Sequence, residues 1–86
     1  MITPLDSSRF EIPNCPPYIV AFYKDDTRPM LPFTIAVQRN DRPEPEVIHR
    51  HLTEPEGWDD YRKLLKYWAA RQRGADMAAA LRVMID

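Results

Sequence analysis

The placement of proline constrains the fold of this chain more than any other sequence feature. All nine prolines lie within the first 55 residues, and none follows. Proline removes a backbone N–H and fixes φ, so it interrupts helices and central strands. We therefore expect short strands separated by proline-bearing turns as far as about residue 52, and helices after that point.

Three segments of the proline-containing part have the pattern of strands. Tyr18–Lys24 is aromatic and β-branched, and Phe33–Arg39 alternates in the way that is typical of a half-buried strand. Val47–Leu52 predicts a weaker third strand. Residues 1–17 predict an extended proline-rich arm, in which only residues 9–12 alternate as a short edge strand would. The short connections favour a meander of adjacent antiparallel strands.

The segment that begins at Thr53 has the sequence of a helix start, since its Thr-x-x-Glu spacing matches a capping box. The apolar residues that follow lie within a sector of about 120°, which should pack on the sheet. Gly74 can adopt the left-handed conformation that ends a helix, so we expect a second helix from about Ala75 to Ile85. The apolar residues of the first helix are Trp58, Tyr61, Leu64, Leu65 and Trp68.

These elements predict an α+β fold, with a three- or four-stranded antiparallel sheet covered on one face by two C-terminal helices. At 86 residues the chain has room for one core, so we expect a single domain, with the arm at 1–17, strands at 18–52 and helices at 53–86. A single cysteine, Cys15, excludes an internal disulfide, and we read no signal peptide or membrane span. We therefore expect a cytoplasmic protein.

The charge balance gives no general attraction to nucleic acid, because 12 basic residues face 13 acidic ones. Binding to nucleic acid would need a local patch. The exposed face of the sheet together with a basic stripe on the first helix is the alternative function that we keep open. Its candidate residues are Thr34, Gln38, Arg39, Arg62, Lys66 and Arg73.

His49 and His51 are spaced so that both imidazoles lie on one side of a strand, where they could chelate zinc or copper if a third ligand converged. The sequence contains no second motif at ligand spacing, so we expect no metal and no cofactor, and we expect both histidines on the solvent face of an edge strand. Cys15 has no histidine nearby in sequence and is expected to be unreactive. The acidic residues Glu54, Glu56, Asp59 and Asp60 are explained by the helix start.

The sequence has no glycine-rich phosphate loop, nucleophile elbow, CxxC pair or HExxH motif, so we expect no enzymatic activity. We expect the protein to act by contact with another protein. In size and style it resembles anti-CRISPR and other small phage proteins that act against a host system, although no family motif is matched residue by residue. Inhibition of a host system is therefore one form that the expected contact would take.

The expected partner surface lies on the helices. Tyr67 projects opposite Trp58, on a face that should meet solvent, and tyrosine and arginine are enriched at interface centres. The second helix is apolar nearly all round and should need cover from another chain, so we expect self-association. The predicted partner-binding residues are Tyr67, Lys63, Arg71, Val83 and Ile85.

Overall fold

A computed structural model describes residues 1–13 and 15–85 of the chain, with side chains described as far as residue 74. One antiparallel sheet has its four strands in sequence order, and a single C-terminal helix packs on it. The predicted α+β class and the antiparallel meander are therefore confirmed. The elements are β1 (Ile2–Phe10), β2 (Tyr18–Asp25), β3 (Phe33–Arg39), β4 (Glu46–His51) and α1 (Glu54–Ile85).

The first strand is much longer than the sequence predicts. In place of an extended arm with a short strand at residues 9–12, β1 pairs with β2 from Ile2 to Phe10. Its register shifts between Pro4 and Asp6, and proline is tolerated because β1 is an edge strand. Backbone pairing with β2 holds this segment although its side chains alternate poorly, and it adds Phe10 to the core.

One helix takes the place of the two that the sequence predicts. Gly74 lies inside α1 and does not end it. A glycine within a helix costs only about 1 kcal/mol relative to alanine, and the following residues include several alanines and no proline. The separate helix expected from Ala75 to Ile85 is therefore wrong. Over the described residues, no helical stretch is both long and apolar enough to cross a membrane.

The helix begins where the sequence predicts, although the capping contact differs in detail. The Thr53 hydroxyl donates to Glu56 Oε1 at 2.6 Å, and the Gly57 N–H donates to the Thr53 carbonyl at 3.2 Å. Thr53 therefore holds the Glu56 side chain with its hydroxyl and accepts the first backbone hydrogen bond of the helix with its carbonyl. Glu54 and Glu56 also place negative charge at the positive end of the helix dipole.

The core lies between the sheet and α1. Phe22 of β2 stacks on Tyr61 with ring centroids 5.5 Å apart and meets Trp58 edge-on at 4.9 Å. The prediction that the apolar sector of the helix packs on the sheet is confirmed. The buried members of this core are Phe10, Ile12, Val20, Phe22, Ile35, Tyr61 and Trp68.

Candidate functional site

The end of β4 and the second turn of α1 bring together three side chains that can bind a cation. Asp60 Oδ2 lies 2.6 Å from His49 Nδ1 and 2.7 Å from His51 Nε2. Both imidazoles donate an N–H to this one carboxylate oxygen. We call His49, His51 and Asp60 the His–Asp cluster.

A bulge in β4 places the two histidines on the side of the sheet that faces the helix. His49 pairs with Ile35, whereas Val47 pairs with Ala36, so Ile48 is an extra residue between the paired positions. Residues paired across strands share a face, so His49 lies on the face of the buried Ile35 and Val47 on the opposite face. This differs from the sequence-based expectation that both histidines lie on the solvent face of the strand.

The cluster sits at the partly solvated rim of the core. The Asp60 side chain is 21% exposed, and those of His49 and His51 are 52% and 24% exposed. Burial raises the pKa of Asp60, but hydrogen bonds from His51 and His49 outweigh that effect, so its pKa lies below the ordinary value. Asp60 is therefore a carboxylate at neutral pH and offers its oxygen as an anionic ligand.

An open cleft adjoins the cluster and is lined in part by acidic residues of the first helical turns. Glu56 and Asp59 both line it, together with Lys63. Lys63 Nζ lies 3.0 Å from Asp59 Oδ2, which neutralises that carboxylate locally. Of the acidic residues that the sequence assigns to the helix start, Asp60 alone hydrogen-bonds to the histidines among the described residues. The arrangement can hold a cation at the rim of the cleft.

The predicted partner-binding residues of the first part of the helix lie on its outer face. Tyr67 is 58% exposed, and its ring meets Trp68 edge-on with centroids 5.9 Å apart. The Arg71 guanidinium lies 5.1 Å from the centre of the Trp68 ring. Val83 and Ile85 fall outside the part of the chain whose side chains the structure describes.

The sheet residues of the nucleic-acid alternative are already engaged within the protein. Thr34 is fully buried, and its hydroxyl donates to the Pro32 carbonyl at 3.3 Å. The Gln38 amide donates to a backbone carbonyl of the β3–β4 turn at 3.1 Å. The Arg39 guanidinium forms a two-pronged ion pair with Asp41. These three residues are not available together as a free reading surface.

The basic stripe of that alternative does lie on the surface. Lys66 and Arg73 are exposed. The Arg62 guanidinium lies 5.6 Å from the Trp58 ring centre, so its position is partly set by a cation–π contact. The stripe therefore remains the more accessible half of the alternative site.

Asp60 is the functional candidate that sequence reasoning missed. The helix dipole explains a carboxylate in the first helical turns, so the sequence does not single out Asp60 among the several carboxylates that could join the histidines. Two sequence features could have indicated that Asp60 lies near β4. Only two residues separate β4 from α1, and Asp60 directly precedes the buried Tyr61.

Comparison of the chain with protein-family models, curated proteins and solved structures finds no match.

Proposed function

We propose that this protein works by binding another protein through the outer face of α1, and that the partner is a second copy of the same chain. The observation that carries the proposal is the exposure of Tyr67 on the side of the helix away from the sheet. A large aromatic side chain in that position contributes apolar area and a hydroxyl to a contact at a low cost in conformational entropy.

The surroundings of Tyr67 resemble the centre of an interface. Lys63 and Arg71 lie one turn before it and one turn after it, so the three side chains form one stripe along the helix. The Arg71 guanidinium makes a cation–π contact with the Trp68 ring, and this contact restricts its position before any partner arrives. A restricted side chain loses less conformational entropy on binding.

The length of the helix supports a second contact surface. The 32 residues of α1 span about 48 Å, whereas the seven residues of β3 span about 23 Å. In the part of the chain with described side chains, the last hydrogen bond that joins the helix to the rest of the fold is donated by the Glu11 N–H to Gln72 Oε1. A helix longer than its sheet leaves surface for another chain, and Val83 and Ile85 stay predicted members of that surface.

We also propose that the protein has no catalytic activity and that it acts in the cytoplasm. It rests on the lack of a known catalytic motif in the sequence and on one exposed cysteine, Cys15. Binding to another protein could inhibit a host system, and this stays a prediction from the size and style of the chain.

Sedimentation velocity over a concentration series tests the proposal. We expect the wild-type chain to form a dimer whose population grows with concentration, and Tyr67→Ala to shift the protein toward monomer. Lys66→Ala is the matched control, because it removes an exposed neighbouring side chain outside the stripe. A wild-type protein that stays monomeric, or equal dimerisation by wild type and Tyr67→Ala, would contradict the proposal.

The nucleic-acid alternative predicts the opposite pattern for the same two variants. A binder that depends on phosphate contacts weakens steeply as salt rises. Fluorescence anisotropy with a labelled duplex at low and high salt would then show weaker binding in Lys66→Ala and little change in Tyr67→Ala.

A further inference from the structure

We propose that the His–Asp cluster is a binding site for a divalent transition-metal ion, and that zinc is the ion that fits it best. The inference does not depend on the proposed function, because the cluster lies between β4 and the start of α1 and does not include Tyr67.

The geometry of the three ligand atoms is close to that of a metal site. His49 Nδ1, His51 Nε2 and Asp60 Oδ2 all lie within 4.8 Å of one another. In a tetrahedral zinc site with metal–ligand bonds of about 2.0–2.1 Å, neighbouring ligand atoms lie about 3.3–3.4 Å apart. The two nitrogen–oxygen distances of 2.6 and 2.7 Å need to open by less than about 1 Å to admit the ion. Side-chain rotation at this partly exposed rim can supply that movement.

The ligand types select the kind of metal. Two imidazoles and one carboxylate suit zinc and its neighbours in the first transition row. Calcium and magnesium prefer sites built from oxygen atoms alone. Three protein ligands leave the fourth zinc position open, and the adjoining cleft gives water access to it.

The electrostatics also favour a cation. The carboxylates of Asp60 and Glu56 both line the cleft, whereas Lys63 neutralises the carboxylate of Asp59. The ion takes the place of the two protons that now point at Asp60 Oδ2. When the ion binds, a neutral imidazole moves its proton from the ligating nitrogen to the other ring nitrogen, by exchange with water, whereas a protonated imidazole releases that proton to water.

A second feature of the cluster points to ligation. Both rings and the carboxylate converge on one point at the end of β4, where the bulge at Ile48 turns the histidines toward the helix. Bulges commonly redirect a side chain at functional positions. The convergence joins two elements, so a bound ion would link β4 to α1 and should stabilise the native state.

Zinc titration of the full chain without an affinity tag tests the proposal. Protein stripped with a chelator is titrated with zinc chloride by calorimetry, and with cobalt(II) chloride by visible absorption. We expect one equivalent of zinc to bind and cobalt to give the absorption bands of a four-coordinate site. Asp60→Asn should weaken zinc binding by at least about tenfold.

The chain offers a matched control one residue away. Asp59→Asn makes the same chemical change at a carboxylate that lines the same cleft, and it should bind zinc as the wild type does. His49→Ala provides a second test, because its half-exposed side chain can be removed without opening the core. Melting of each metal-free variant shows that it is folded.

Three results would overturn the metal site. The first is an absence of saturable zinc binding by the wild type at one equivalent. The second is equal zinc affinity in Asp60→Asn and Asp59→Asn. The third is wild-type affinity and cobalt spectrum in His49→Ala that is folded by its melting curve.

Discussion

The backbone of Gly57 lies directly against the ring of Phe22. A Cβ added at position 57 would lie 2.6 Å from Phe22 Cζ and 2.7 Å from Phe22 Cε1. Such distances are far inside van der Waals contact, so the first turn of α1 reaches β2 only because position 57 has no side chain.

We predict that Gly57→Ala destabilises the protein. Alanine improves helix propensity by about 1 kcal/mol, but the methyl group forces Phe22 or the helix to move, and overpacking of this kind costs about 1–3 kcal/mol. Phe22 is fully buried and has little room to shift. Chemical denaturation should show a net loss of unfolding free energy.

Gly74→Ala is the matched control and should stabilise the protein by about 0.5–1 kcal/mol. A Cβ at position 74 meets nothing within 4 Å, and the residue lies inside a continuous helix. A left-handed cap at Gly74 would make alanine destabilising there. A loss of stability in Gly74→Ala would therefore contradict the single helix.

We predict that Trp68→Ala costs roughly 3–5 kcal/mol of unfolding free energy, because it leaves a large cavity in a small core. Trp68 is 8% exposed, and its ring lies 4.8 Å from that of Tyr18 and 6.3 Å from that of Phe10. Tyr67→Ala, one position earlier on the exposed face, should cost about 1 kcal/mol or less. Urea unfolding of both variants checks the prediction, and similar losses would show that the helix faces are assigned wrongly.

We predict that Phe10→Ala also destabilises the protein by roughly 3–5 kcal/mol. Phe10 is buried, pairs in register with Tyr18 and contacts Trp68, so its loss weakens the attachment of β1. Arg9→Ala is the control, because its exposed ion pair with Glu11 should contribute little. If thermal melting of Phe10→Ala matched the wild type, β1 would not be part of the core.

We predict that the pKa of Asp25 lies below its ordinary value and rises in Thr27→Ala. The Thr27 hydroxyl and backbone N–H both donate to Asp25 Oδ1, at 2.6 and 3.0 Å, and they stabilise the carboxylate. Because the folded pKa is depressed, this contribution to stability is present above the unfolded pKa and is lost as pH falls through the folded value. Carboxyl titration by NMR measures the shift.

The pKa of Asp41 provides an internal control for that titration. It is lowered mainly by the hydrogen-bonded Arg39, so Thr27→Ala should leave it unchanged. An unchanged pKa at Asp25 in the variant would contradict the assigned role of Thr27.

The local sequence pattern was sufficient to predict β3, the start of the helix and the buried face of the helix. The alternation in Phe33–Arg39 predicted β3 with the bounds that the structure has, but the expectation of a half-buried strand was wrong, because Thr34 and Ala36 on the face away from the helix are buried as well. The capping residue Thr53 and the apolar spacing from Trp58 to Trp68 predicted where the helix begins and which face is buried. The spacing of apolar residues along a helix reflects the burial of one face, so the buried face of the helix could be predicted from the sequence.

Tertiary structure decided the features that depend on contacts between distant residues. β1 is held by backbone hydrogen bonds to β2, which leave no side-chain pattern to read, and the continuation of α1 through Gly74 outweighs a local signal for a cap. The His–Asp cluster needed both the bulge at Ile48 and the docking of the helix on the sheet. Sequence spacing places two histidines on one strand, but only the packing of β4 against α1 brings Asp60 to them.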